Sequence, residues 1–176
     1  MACDAMQDGR QILLIRKGGI REEGSVFTMS DREFFLLPTF EHQNPALLQP
    51  DLLPRLEARR LAPDPAVVRI DAYAVVDTIL TARDEAQVNA VRGETIWNAE
   101  YVKQRFDFNP YDPLYMVVLR VYRLPRPETL PLLPEYVGCR SWVTLERQLS
   151  TAGAIAAVPD AEFSVRKECL LAVLAS

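Results

Sequence analysis

Histidine is nearly absent: His42 is the only one in 176 residues, which excludes a two-His or three-His metal site within one chain. Cysteine is scarce too. Cys3, Cys139 and Cys169 are odd in number, far apart and without a C-x-x-C pair, so neither a zinc ribbon nor a thioredoxin-type motif is present. Apolar runs such as Leu114 to Leu119 fall far short of the roughly 20 residues that a membrane helix needs. The opening MACDAMQDGRQ carries two acids and no apolar core of a secretory leader. The expectation is therefore a cytoplasmic protein with reduced thiols and no membrane partner. An excess of positive charge is missing as well, since 20 Lys+Arg against 24 Asp+Glu give −4. That balance excludes an indiscriminately basic nucleic-acid binder but leaves room for a local cationic patch.

What remains is an ordinary globular composition, 49% hydrophobic and 25% charged, enough apolar matter for one domain with a full core. QILLIRK (11–17) follows an Asp8-Gly9 turn and reads as a strand buried on both faces. Val26 to Met29 and Glu33 to Leu37 read as further strands. Leu52, Leu53, Leu56 and Leu61 form a helical stripe, with Pro54 in its first turn. Val68, Ile70, Ala72, Ala74 and Val76 alternate with polar residues as a half-buried strand. Asp84 to Val91 reads as a short helix, and a second begins at Asn98 as cap, with Glu100 complementing the dipole. LYMVVLRVYRL (114–124) is the strongest strand, followed by an extended piece punctuated by Pro125, Pro127, Pro131 and Pro134. Cys139 to Leu145 reads as a last strand, and Asp160 caps a final helix. The expected class is α+β, a mixed or mainly antiparallel sheet or a small barrel with two or three helices. Residues 1–145 form the expected globular domain, and 146–176 a C-terminal tail ending in a helix packed on it.

RKGGIREEG (16–24), EFFLLPTFEHQ (33–43), PLYMVVLRVYRLP (113–125) and EYVGCRSWVTL (135–145) resemble an uncharacterised bacterial family, the domain of unknown function numbered eighteen-oh-two. The resemblance covers most of the chain up to about Leu145 and implies no activity. Layout is also similar to PUA-like folds of the ASCH branch: a basic element, a strand (69–79), a helix (98–106) and a hydrophobic strand (114–122). That likeness implies a small barrel binding RNA or a modified nucleotide. The ASCH motif Gly-x-Lys-x-x-Glu-x-Arg is met loosely by Lys17 and Arg21, with Ile15 where the glycine belongs. GRQILLIRKGG (9–19) resembles the opening strand of Nudix hydrolases, but Arg21-Glu22-Glu23 is only a fragment of their metal-binding box.

Three constellations carry possible chemistry. Arg16, Lys17 and Arg21 surround Gly18-Gly19, where close main-chain approach and cations suit a phosphate; a turn with solvated charges is the plain alternative. Glu41 and His42 follow a strand, where a carboxylate can orient a general base, or a histidine can simply fix a turn. Arg140 and Trp142 share a face if Cys139 to Leu145 is a strand. There they would read and stack on a base, or form a core tryptophan edged by arginine. The leading expectation is a domain binding RNA or a nucleotide through Arg16, Lys17, Arg21, Arg140 and Trp142. The alternative is a small metal-dependent hydrolase of a nucleotide or phosphodiester using Glu22, Glu23, Glu41 and His42. A third is an adaptor that binds a protein through the proline segment or tail. No motif calls for a cofactor or a resident metal.

Overall fold

The computed structural model describes residues 1–17, 22–23, 26–27, 32–39, 44–60, 66–138 and 142–174. Two long strands, β5 (Val67–Ala82) and β6 (Leu114–Pro131), form an antiparallel ribbon that organises the molecule. β1 (Leu13–Lys17) pairs the start of β6, and β4 (Glu33–Phe35) pairs the middle of β5. The order is β1-β6-β5-β4, and β7 (Ile155–Ala156) joins β6 at Tyr122 and Arg123. A separate two-residue pair joins β2 (Glu22–Glu23) to β3 (Val26–Phe27). Every strand pairing among the described residues is antiparallel, and the path is open at β1 and β4. The fold is α+β, and it takes the open-sheet form rather than the closed barrel.

Two bulges shape the ribbon. Register shifts at Asp77, between Val76 and Thr78, so side-chain alternation changes face there. Ala72, Ala74 and Val76 accordingly join one core cluster, with Val117, Leu119 and Val121. Leu80 and Ala82 join the other, with Leu114, Met116 and Val118. Arg32 holds the bulge, its guanidinium donating to the carbonyls of Val76 at 3.0 Å and Asp77 at 3.1 Å. The second irregularity lies between Ile70↔Glu128 and Ala72↔Arg123, where residues 124–127 face Asp71. Pro125 and Pro127 fall inside it. A residue without an N–H is tolerated where the ladder is already interrupted, so β6 runs on to Pro131 through the segment expected to follow it. That segment is thus sheet over most of its length, not a free polyproline ligand.

Five α-helices complete the described structure, rather than two or three. α3 (Glu85–Ala90), α4 (Ala99–Asp107) and α5 (Asp160–Leu174) cover one face of the sheet. They add Val88, Tyr101, Val102, Phe163, Leu170 and Leu174 to its core cluster. Asn98 caps α4 as expected, accepting from Tyr101 N at 3.1 Å, and Asp84, expected inside the helix, instead caps α3, accepting from Gln87 N at 2.9 Å. Asp160 is the first helical residue of α5. α2 (Leu53–Arg60) carries Pro54 in its first turn, as its sequence demands.

α1 (Ala2–Gln7) was not legible as a helix, being six residues long. It ends at Gly9, whose φ of 74° is left-handed and where a Cβ would stand 2.9 Å from the Ala157 carbonyl oxygen. Only glycine fits both conditions. The expected last strand is corrected: residues 142–145 are irregular, and 139–141 lie outside the described residues. Val143 and Leu145 lie against the cluster of Val68, Ile70, Leu130 and Tyr136. Their alternation thus reflects contact with an apolar surface rather than a ladder. The Tyr136 hydroxyl accepts from Glu146 N at 2.9 Å and pins that crossing.

Candidate functional site

α3, α4 and α5 all lie on one face of the sheet, and the opposite face is only partly covered. A cavity of about 490 Å³ opens there, within the range of small-molecule sites. Leu119 of β6 and Leu14 of β1 belong to its floor, and Ala2, Cys3 and Met6 of α1 form one wall. Phe34 to Leu37 enter from the β4 side, and Trp142 to Leu145 close the remaining side. The lining is mainly apolar, with Arg16 and Glu33 contributed by the two edge strands.

Strand alternation decides which of the two basic residues of β1 reaches the cavity. Leu14 and Arg16 share a face, while Leu13, Ile15 and Lys17 belong to the other. Lys17 is accordingly turned to α4, where its Nζ donates to the Phe106 carbonyl at 3.0 Å and lies 5.6 Å from the Phe106 ring centroid. Arg16 lines the cavity. Burial lowers its pKa below the ordinary arginine value; Tyr101 acts to raise it and the positive charge of Arg105 to lower it. An arginine stays cationic regardless, so the meaning is energetic: a guanidinium partly withdrawn from water gains more from an anion than an exposed one does.

Trp142 is the second expected residue on the same wall. It meets Phe34 edge-on, with centroids 5.0 Å apart and planes at 90°. Its indole N–H is buried and has no acceptor among the described residues. A buried donor without a partner is uncommon, because it forfeits its hydration. The structure therefore brings Arg16 and Trp142 to one cavity and sends Lys17 elsewhere. Arg21, Glu41, His42 and Arg140 lie outside the described residues. For Glu22 and Glu23 only the main chain is described, pairing with Phe27 and Val26. Among the described residues no three His, Cys, Asp or Glu side chains gather in a metal-holding set.

Sequence reasoning missed Phe34 of β4, Cys3 of α1, and Tyr136. The alternation of Phe34 and Leu36 was available as a signal; the short α1 offered none. A second, more open hollow at the start of α4 is lined by Gln49, Asp51, Arg92 and Asn98 among others. Its amides are already committed. Gln49 Nε2 donates to the carbonyls of Arg92 at 3.1 Å and Thr95 at 2.8 Å, and Asn98 Nδ2 to that of Ala46 at 2.7 Å. That hollow is a joint between segments.

A comparison with protein families matches residues 1–169 to the one described as domain of unknown function (DUF1802). The chain belongs to the DUF1802 family. The match runs past Leu145 through most of α5, so the helix that completes the larger core cluster lies within the family's extent. No curated protein and no solved structure matches the chain. No described helix is long and apolar enough to cross a membrane.

Proposed function

We propose that this DUF1802 chain is a binding domain whose sheet cavity takes a small ligand with a flat aromatic body and an anionic group. A nucleotide or modified nucleotide is the class that fits. One observation carries the reading: Arg16 and Trp142 line the same largely apolar cavity. Aromatic rings add offset or edge-on contacts beyond their burial, and Phe34 with Trp142 already supplies such a pair. The indole N–H, without an acceptor among the described residues, offers a donor to a ligand, and Arg16 a positive charge. The recess favours a single base over a tracked polynucleotide, because continuous strands need an open basic groove.

The test is a titration of the full chain with nucleoside monophosphates and modified nucleosides, read by tryptophan emission and by melting temperature. A supporting result is saturable binding that changes emission in the native chain and not in Trp142→Phe. Arg16→Gln then weakens nucleotides while sparing the uncharged nucleosides. If no member of the panel shifts either readout at millimolar concentration, the reading falls.

A further inference from the structure

We infer that Arg166 is a positioning residue of the cavity: from a helix on the opposite face of the sheet, it fixes the wall that α1 presents to the ligand. The inference rests on the reading of the cavity as a ligand site and names the contact that sets its shape.

Left to itself, α1 is a weak element. Six residues are too few for a helix to hold its own shape in water, yet its Ala2, Cys3 and Met6 form one side of the cavity. Cys3 and Met6 are three residues apart and so share one face of the helix. Burial of Ala5 and Met6 attaches the helix to the core, but apolar contact is non-directional and does not set its angle. An ion pair between Asp8 and Arg55 adds little, because both side chains are about half exposed, at 49% and 46%.

Arg166 of α5 supplies the directional hold. Its Nη1 donates to the Gly9 carbonyl at 2.6 Å and its Nη2 to the Arg10 carbonyl at 3.1 Å. Glu94 aims the group, its Oε2 accepting from Nε at 2.9 Å and from Nη2 at 2.5 Å. A guanidinium is planar and rigid, so a carboxylate that fixes one edge fixes the directions of the remaining N–H bonds. The hold then passes to the wall through the main chain. Gly9 N donates to the Met6 carbonyl at 3.1 Å, and Gln11 N to that of Ala5 at 3.0 Å. Two hydrogen bonds therefore link a side chain of α5 to a residue that lines the cavity. The turn between them has no slack, since even a Cβ at Gly9 would meet the Ala157 carbonyl oxygen at 2.9 Å. In a close-packed turn, a shift at Arg166 is transmitted to Met6 and Cys3 rather than absorbed. A wall held in place before binding spares the ligand the cost of ordering it.

The test is pulsed alkylation of the full chain with iodoacetamide, read by peptide mass mapping, with the exposed Cys169 as internal reference. Cys3 is half-buried in the wall itself, so its rate reports the placement of α1 with no ligand present. Arg166→Met keeps the aliphatic stem and removes every donor. It should raise the Cys3 rate about tenfold, the scale of one lost charge-assisted hydrogen-bonding group. Arg166→Lys should recover part of the protection, and Glu94→Gln should lose less of it; these two decide the matter if Arg166→Met does not fold. Leu170→Ala removes buried bulk from the same helix and costs comparable stability, but should leave the Cys3 rate near that of the native chain. Adenosine monophosphate, followed by tryptophan emission, should bind Arg166→Met about tenfold more weakly. Unchanged Cys3 rates overturn the proposal, as does an equal rise in Leu170→Ala, which would mark general loosening. Unaltered affinity in a chain that binds the nucleotide overturns it as well. Failure of the cavity reading is seen separately, as a native chain that binds no nucleotide whatever its Cys3 rate.

Discussion

Arg166 Nη1 donates to the main-chain carbonyl of Gly9 at 2.6 Å, joining α5 to the turn after α1. The same guanidinium donates to the Arg10 carbonyl at 3.1 Å and pairs with Glu94 at 2.5 Å. Three segments remote in sequence thus share one partly buried side chain. Arg166→Ala would leave two carbonyls and a carboxylate short of a donor. The expected cost is about 2–3 kcal/mol, read by urea unfolding. A double-mutant cycle with Glu94→Ala should return a coupling well above that of a surface pair. A loss under about 0.5 kcal/mol would show the network to be incidental.

Gln11 is fully buried and acts as a two-ended clamp. Its Nε2 donates to the Leu13 carbonyl at 2.9 Å, and its Oε1 accepts from Ile96 N at 3.2 Å. Gln11→Leu keeps the bulk and removes both bonds, leaving a buried donor and acceptor unmatched. A loss of about 2–4 kcal/mol in unfolding free energy is expected. Unchanged stability would mean that the main chain finds other partners.

The Asp77 carboxylate gives an acid-side prediction. Burial pushes its pKa up, but hydrogen bonds from Lys167 and Thr78, with the charges of Lys167 and Arg32, outweigh that and hold it below the ordinary 3.8. A group whose folded pKa is depressed contributes stability above its unfolded pKa and loses it as pH falls through the folded one. Asp77→Asn should therefore lower the melting temperature at neutral pH, and the difference should shrink as the pH falls below the ordinary 3.8 and Asp77 takes up its proton. Parallel melting curves across that range would remove Asp77 from the acid response. The contact at stake is Lys167 Nζ to Asp77 Oδ1, 2.5 Å.

Arg120 is buried between the rings of Phe163, 4.6 Å from the guanidinium carbon, and Tyr122, 5.8 Å away. One guanidinium nitrogen pairs with Asp160, and Nη1 has no acceptor among the described residues. Replacing a buried, partly satisfied charge with an apolar residue of similar length is often neutral or better. Arg120→Met should change stability by less than about 1 kcal/mol or raise it. Asp160→Asn, which strips the guanidinium of its carboxylate, should lower the melting temperature by roughly 2–4 °C. A large loss in Arg120→Met would show that the cation between the rings contributes more than its burial costs.

Local signals were legible and remote ones were not. The Asn98 cap, Pro54 in its first turn and the alternation from Val68 to Val76 depend on residues within a few positions, and each stands as read. Trp142 and Arg16 were named as candidates, but their meeting depends on the order β1-β6-β5-β4, which no local pattern encodes. Lys17 was grouped with Arg16 by adjacency, whereas alternation separates them. The prolines of β6 suggested an end to the strand because the bulge that accommodates them is a property of the pair.

The bulge at Asp77 makes β5 behave like two reading frames spliced at one acid. Upstream, even-numbered residues address the cavity side; downstream, odd-numbered Ile79 does, and even-numbered Leu80 and Ala82 serve the helical side. Inserting or deleting a residue elsewhere in the paired part of the strand would be a frameshift in space, whereas deleting Asp77 itself would only close the bulge, leaving Val76 and Thr78 opposite Leu119 and Val118 as they are now.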